Sequence, residues 1–231
     1  MIRGAVLVAV AKSNPGAGGL SPKGMMTFSF LTQGFLAYSA VFGDGDEIGQ
    51  RVRTGDVICD FYRPADFQLW WMAADIGRGL FQLVGRAIPI VLIGALVYGV
   101  QWPMSVSAIA LFALSMVGAL LTGFGLRFLV SLSAFWLLDT RGTNQLVVTM
   151  TIFGSGMLVP LSLFPHWAEG LMRALPFAGM VQTPADIWLG SVTGVDAFAR
   201  VLLQFAWVAA LFVAGRYLLS AATRRVVIQG G

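Results

Sequence analysis

From Ala87 to Thr122 the chain carries no charged side chain, and that one run limits the fold more than any motif. A hydrocarbon core of about 30 Å is crossed by about 20 apolar helical residues, so the run is long enough to cross nearly twice. In its middle stands GVQWPMS, where Gly99 and Pro103 disfavour continuous helix and Trp102 suits a membrane interface. The run therefore reads as two spans joined by a tight turn. Composition agrees: 57% of residues are hydrophobic, 11% are charged and mean hydropathy is +0.79, whereas soluble domains carry about 25% charged residues. A soluble fold of 231 residues could not keep its surface wet with so few charges. The net charge of +4 would point to nucleic acid in a soluble protein, but here the basic residues sit at the ends of apolar runs, where they fix orientation. No nucleic-acid partner is expected.

The remaining apolar runs complete an all-α polytopic transmembrane bundle. Met25 to Phe42 is the first complete span. The second half of the long run continues as GFGLRFLVSLSAFWLLDTRG, too long for one crossing, and is expected to project into the cytosol as helix rather than to break at Gly123 and Gly125. Leu146 to Phe164 and Phe198 to Leu219 bring the count to five complete spans in a single membrane domain, residues 1–231. Residues 165–190, interrupted by Pro176, Pro184 and several glycines, are expected to form a broken or re-entrant element. Residues 1–23 are atypical, with an apolar run too short for a span, and are expected to be the remnant of a first one.

Eleven of the 26 charged residues lie in one window, Asp44 to Arg78, the only substantial polar segment. If it faces the cytoplasm, so do Arg51, Arg53, Arg63, Arg78, Arg141, Arg224 and Arg225, and the C-terminus, leaving mainly Arg173 and Arg200 opposite. Arg3, Lys12 and Lys23 then fall on the outer side, against the rule. Pro64 prevents a continuous helix across the window, and Asp66 is placed to cap the helix that runs through Gln68, Trp70, Trp71 and Asp75 into the membrane at Phe81. The carboxylates Asp56, Asp60, Asp66 and Asp75 fit two readings: solvated loop charges pairing with Arg53, Arg63 and Arg78, or a specific docking surface. Catalysis by this set fits poorly, because general acid–base work needs carboxylates in a water-poor cleft.

No other chemistry is legible. The sequence contains no GxxxxGK[ST], GxSxG or HExxH string, and GDGDEIG puts acids where a phosphate would be repelled. No catalytic, cofactor-binding or metal-ligating residue is expected. The single Cys59 forms no internal disulfide, and the single His166, between Pro165 and Trp167, reads as interfacial. The apolar span centres contain no aspartate or glutamate for a proton relay, so energy for transport must come from outside the chain. Gly94, Gly118, Gly123, Gly125, Ser131 and Ser133 read as close-packing points. Arg86 and Arg127 read as snorkelling to the interface rather than lining an anionic cavity.

Four blocks in order, RTGDVICDFYRPADFQLWW, LRFLVSLSAFWLLDTRG, LPFAGMVQTPADIWLG and the terminal RRVVIQGG, resemble the permease subunits of the ABC type 2 transporter family, in the bacterial branch that includes viologen-type exporters. The resemblance runs from about Phe30 to Gly231. It implies six transmembrane helices per permease, two permeases per transporter, same or different, in the lipid bilayer of the bacterial plasma membrane, and a separate pair of cytoplasmic ATPase subunits that bind the ATP. The ATPase would dock on the loop after the second helix, here residues 44–80, with Asp56, Asp60, Arg63, Pro64 and Asp66 as its most recognisable positions. It also implies a partly re-entrant element before the last helix. The alternatives left by the residues are a membrane scaffold or assembly protein with the same spans, and a membrane-embedded enzyme, which would need a polar cluster at one depth of the bundle. The substrate is not legible.

Overall fold

The computed structural model describes residues 2–13, 19–38, 46–103, 105–137 and 139–229, with side chains as far as Arg224. The expected end of the first span at Phe42, the start of the charged segment at Asp44 and the side chain of Arg225 lie outside these residues. The described chain is helical without strands. α1 (Ile2–Ser13) packs along α2 (Pro22–Tyr38). α3 (Glu47–Thr54) and α4 (Val57–Phe61) make up the polar segment. α5 (Phe67–Gln82) then continues through a π-helical turn, Leu83–Ala87, into α6 (Ile88–Tyr98). α7 (Val106–Leu132) returns, and α8 (Arg141–Gly154) follows it. α9 (His166–Ala174), α10 (Pro176–Met180) and α11 (Gln182–Leu189) precede the last helix, α12 (Gly194–Gln229).

Among the described residues, three helices are long and apolar enough to cross a membrane: Phe67–Tyr98, Val106–Phe135 and Gly194–Arg224. The first starts at the Asp66 cap and runs on past Phe81, as the sequence reading expects. The π turn explains how it stays continuous: Pro89 has no amide proton, its ring crowds the carbonyl of Gly85, and one wide turn takes up both without a break. The helix stops at Gly99, which adopts φ +67°, and Ser105 caps the next by accepting a hydrogen bond from the Ala108 amide at 3.2 Å. α7 runs through Gly123 and Gly125 without a break, as the long-helix reading expects.

The run Leu146–Phe164 departs from expectation. It is helical only as far as Gly154, then turns at Gly156, φ +76°, and ends in a short 3-10 turn at Leu161–Leu163. The sequence marks the break in Gly154-Ser155-Gly156 and in Pro160, whose backbone is not helical here, and a reading by apolar length alone passes over both. α2, at 17 residues, spans about 25 Å at 1.5 Å per residue. Residues 165–190 form three short helices with breaks at Leu175 and Val181, and α11 is almost wholly buried against α7 and α2.

α7 and α12 form the central pair, and glycines let them approach. A methyl group on Gly118 would lie 2.6 Å from the Gln204 side chain, and one on Gly125 would lie 2.8 Å from Leu211. Between them Gln204 is buried but fully used: its Nε2 donates to the carbonyls of Ser115 (2.8 Å) and Gly179 (2.7 Å), and its Oε1 accepts from the Ser115 hydroxyl (3.0 Å). Such a side chain is tolerable in an apolar core only because each polar atom has a partner.

Candidate functional site

The polar segment is held to the ends of α7 and α12 by an apolar cluster and a set of ion pairs. Asp46 starts α3 by accepting from the Gly49 amide at 2.9 Å, and Gly55, φ +83°, ends it. Ile48 and Val57 face inward to meet Phe67, Trp71, Phe124, Phe128, Leu132 and Leu219. This gives α3 and α4 one apolar face seated on the long helices and one face left outside.

Asp60 is the centre of the segment. Its side chain is only 1% exposed, and both oxygens lie 3.2 Å from Nη1 of Arg51, while Nη2 of Arg63 lies 3.2 Å from one of them. A carboxylate that deep is stable only when paired. The two arginines are partly exposed and lie over tryptophans, Arg51 above Trp71 at 5.7 Å and Arg63 above Trp70 at 4.9 Å. Asp60 thus ties α3 to the turn that contains Pro64.

Asp66 does two things. It caps α5 by accepting from the Leu69 amide at 2.8 Å, and it pairs with Arg216 on α12. The hydrogen bond from Arg216 holds its carboxyl below the usual carboxylate range, with partial burial working against this and the Leu69 amide for it. Gln68 adds a bond from Nε2 to the Phe212 carbonyl at 3.1 Å, so the start of α5 is fixed to α12 at two points. A third anchor runs to α8: Arg53 donates to the Thr140 hydroxyl at 3.1 Å, and Thr140 donates to Asp46 at 2.9 Å.

Of the five positions singled out from sequence, Asp60, Arg63 and Asp66 therefore belong to the internal framework of the segment. Pro64 lies in the exposed turn between α4 and α5. Asp56 is exposed, accepting only a local bond from the Thr54 hydroxyl at 2.7 Å, and no cation among the described residues pairs with it.

Asp75 does not belong with the loop charges. It is buried on α5 facing α7, 2.5 Å from Arg127 and 3.2 Å from Arg78. Arg127 is thus an ion-pair partner and does not merely snorkel. The pair borders a cleft between α3, α5, α7 and α8 that is also lined by Glu47, Trp71, Asn144 and Thr151. Arg86, in the π turn, is exposed.

A second buried carboxylate marks the other end of the bundle. Asp186 on α11 accepts from Arg173 at 2.6 Å and from Gln182 at 2.7 Å, with Arg200 of α12 at 3.5 Å. Glu169 also holds Arg173, at 2.8 Å. Burial lowers the affinity of the Arg173 guanidinium for its proton, but Asp186 and Glu169 outweigh it and keep the group above its ordinary value. Gln182 reaches onward, accepting from the Leu161 amide at 3.1 Å. This network knits α9, α11 and α12 together. Sequence reasoning missed it, although a signal existed: an aspartate inside the apolar string PADIWLG demands a cation, and Arg173 and Arg200 are nearby in sequence.

Among the described residues no group of three or more His, Cys, Asp or Glu side chains is placed to hold a metal ion. A search among curated proteins finds no match. The family description "ABC-2 family transporter protein" matches residues 9–230. With that match over nearly the whole chain and three membrane-length helices in the bundle, the protein belongs to the ABC-2 transporter family and is a multi-pass membrane permease component of an ABC transporter.

Proposed function

We propose that this chain forms the translocation path of an ATP-driven exporter and that a separate cytosolic ATPase subunit drives it by docking on residues 46–66. The observation that carries this reading is mechanical continuity. The segment is tied to α12 through Asp66–Arg216 and to α8 through Arg53–Thr140, and it runs directly into the unbroken helix Phe67–Tyr98. At 1.5 Å per residue that helix of 32 residues is about 48 Å long, well beyond a core of about 30 Å. Its first turns therefore stand outside the hydrocarbon, where a soluble partner can reach them. A load on α3 and α4 is carried along α5 and past the π turn into α6.

In this reading the polar segment and the C-terminus face the cytoplasm of a bacterial cell, and the short helices of 165–190 enter the bilayer from the opposite side without crossing it. A second permease, identical or different, completes the path, and ATP is bound and hydrolysed by the partner. ATP-driven closure of that partner shifts the permease between inward- and outward-open states, which requires the partner to bind the two states unequally. The test is charge reversal at Asp56 and Arg63 in the intact permease, reconstituted in lipid nanodiscs with its ABC-type ATPase. Permease-dependent stimulation of ATP turnover is expected to disappear while membrane insertion persists; unchanged stimulation contradicts the reading.

A further inference from the structure

We infer that the groove between α3 and α4 receives a cationic side chain, Lys or Arg, from the ATPase subunit, with the exposed Ile58 and Tyr62 of α4 and its end as an apolar ledge on the same segment. This rests on the docking reading above and specifies its chemistry. The groove is open and lined by Glu47, Gln50, Arg51, Thr54, Asp56 and Cys59. Its one cation is shared, because Arg51 lies against both oxygens of buried Asp60, which Arg63 also meets, and against Glu47. Glu47 is 58% exposed at 3.7 Å from Arg51, and Asp56 meets only the Thr54 hydroxyl. The lining thus sets two carboxylates against one guanidinium, and Asp56 is the acid in it that no cation among the described residues meets, on a chain whose total is +4. A basic side chain from a partner would find two carboxylates, an amide and a hydroxyl there, a charge-assisted set that a neutral partner could not satisfy.

The ledge supplies what charge alone lacks. Tyr62 is 85% exposed and Ile58 is 44% exposed, one helical turn apart on the face of α4 opposite the buried Val57 and Asp60. They stand among Asp56, Arg63 and Pro64 rather than on a lipid-facing stretch, so a protein surface fits them better than acyl chains. An exposed tyrosine is among the residues enriched where protein interfaces concentrate their binding energy.

Cys59 makes the groove directly addressable, since it is exposed, lines the groove and is the only cysteine in the chain. The experiment attaches a cleavable photo-crosslinker to Cys59 of the full permease in nanodiscs with its ABC-type ATPase, and maps the captured peptide by mass spectrometry. In parallel, ATPase affinity is measured for the double variant Glu47→Lys, Asp56→Lys and for Tyr62→Ala, at low and high salt. Expected are an ATPase peptide containing Lys or Arg, and binding at least tenfold weaker for the double variant at low salt, with the difference shrinking at high salt. Both substituted acids are exposed, so a retained thermal transition shows that the variant is folded. If the ATPase binds the folded double variant as tightly as wild type, the groove inference is overturned and the docking reading stands. If the crosslinker captures only lipid and no ABC-type ATPase binds wild type, both are overturned.

Discussion

At the scale of single residues, two carboxylates that look alike in the sequence do different work. Asp60 is a buried staple and Asp56 is a free surface acid. Replacing Asp60 by alanine leaves Arg51 and Arg63 facing an apolar gap; since both arginines are partly exposed, the cost is expected to fall near about 1–3 kcal/mol rather than at the full value for a wholly buried pair. A lower thermal midpoint in detergent and faster tryptic cleavage after Arg51 and Arg53 would show it, while Asp56→Ala should stay within about 0.5 kcal/mol of wild type. Asp66 sets a pH dependence of known sign. Its folded carboxyl lies below the ordinary value, so its contribution is fully present above the unfolded pKa of about 3.9 and is lost as pH falls through the lower folded value. A thermal-midpoint titration should show wild type losing part of its stability in that acid window, and Asp66→Asn losing less there; parallel curves would contradict the role given to Arg216.

At the scale of elements, periodicity and breakers located most helices, and tertiary pairing decided the rest. Pro64, Asp66 and the glycine–proline break at 99–103 marked boundaries through their own backbone chemistry, so they were readable locally. The helix running from the Asp66 cap into the membrane at Phe81 was readable too; the π turn that carries it past Pro89 was not. Arg78, three positions from Asp75 on the same helix, was within local reach, whereas Arg127 lies 52 residues away on another helix; Arg173 and Arg200 are near Asp186 in sequence, but only packing brings both onto it. Small residues carried information that only packing could decode. Gly118→Ala would push a methyl group into Gln204 and disturb its bonds to Ser115 and Gly179, at a cost expected near about 1–3 kcal/mol. Gly142→Ala meets nothing within 4 Å on α8 and should gain a few tenths to about 1 kcal/mol from helix propensity. Opposite shifts of the thermal midpoint for these two glycines would verify that α7 and α12 are in direct contact at this depth.

At the scale of the whole molecule, charge is stratified. Asp66–Arg216 and Asp75–Arg127 hold one end of the long helices, and Asp186 with Arg173 and Arg200 holds the other. Arg200 and Arg216 are 16 positions apart on α12, about 24 Å along its axis, a separation that fits a hydrocarbon slab of about 30 Å once long side chains reach outward. Between these layers the described surface is mainly apolar, with Leu92, Leu96, Leu114, Leu202 and Val213 outside. One layer carries the polar segment and the other carries the broken helices, so a push at one end has rigid helices through which to reach the other. The most direct measurement is a pulsed electron–electron distance between a spin label on Cys59 and one on a cysteine introduced at the exposed Val213 of α12, in nanodiscs with the ATPase bound. Trapping the ATPase with ATP is expected to displace the distance distribution by several ångströms relative to the nucleotide-free state. A distribution that does not change with nucleotide, while the ATPase remains bound, would contradict the account.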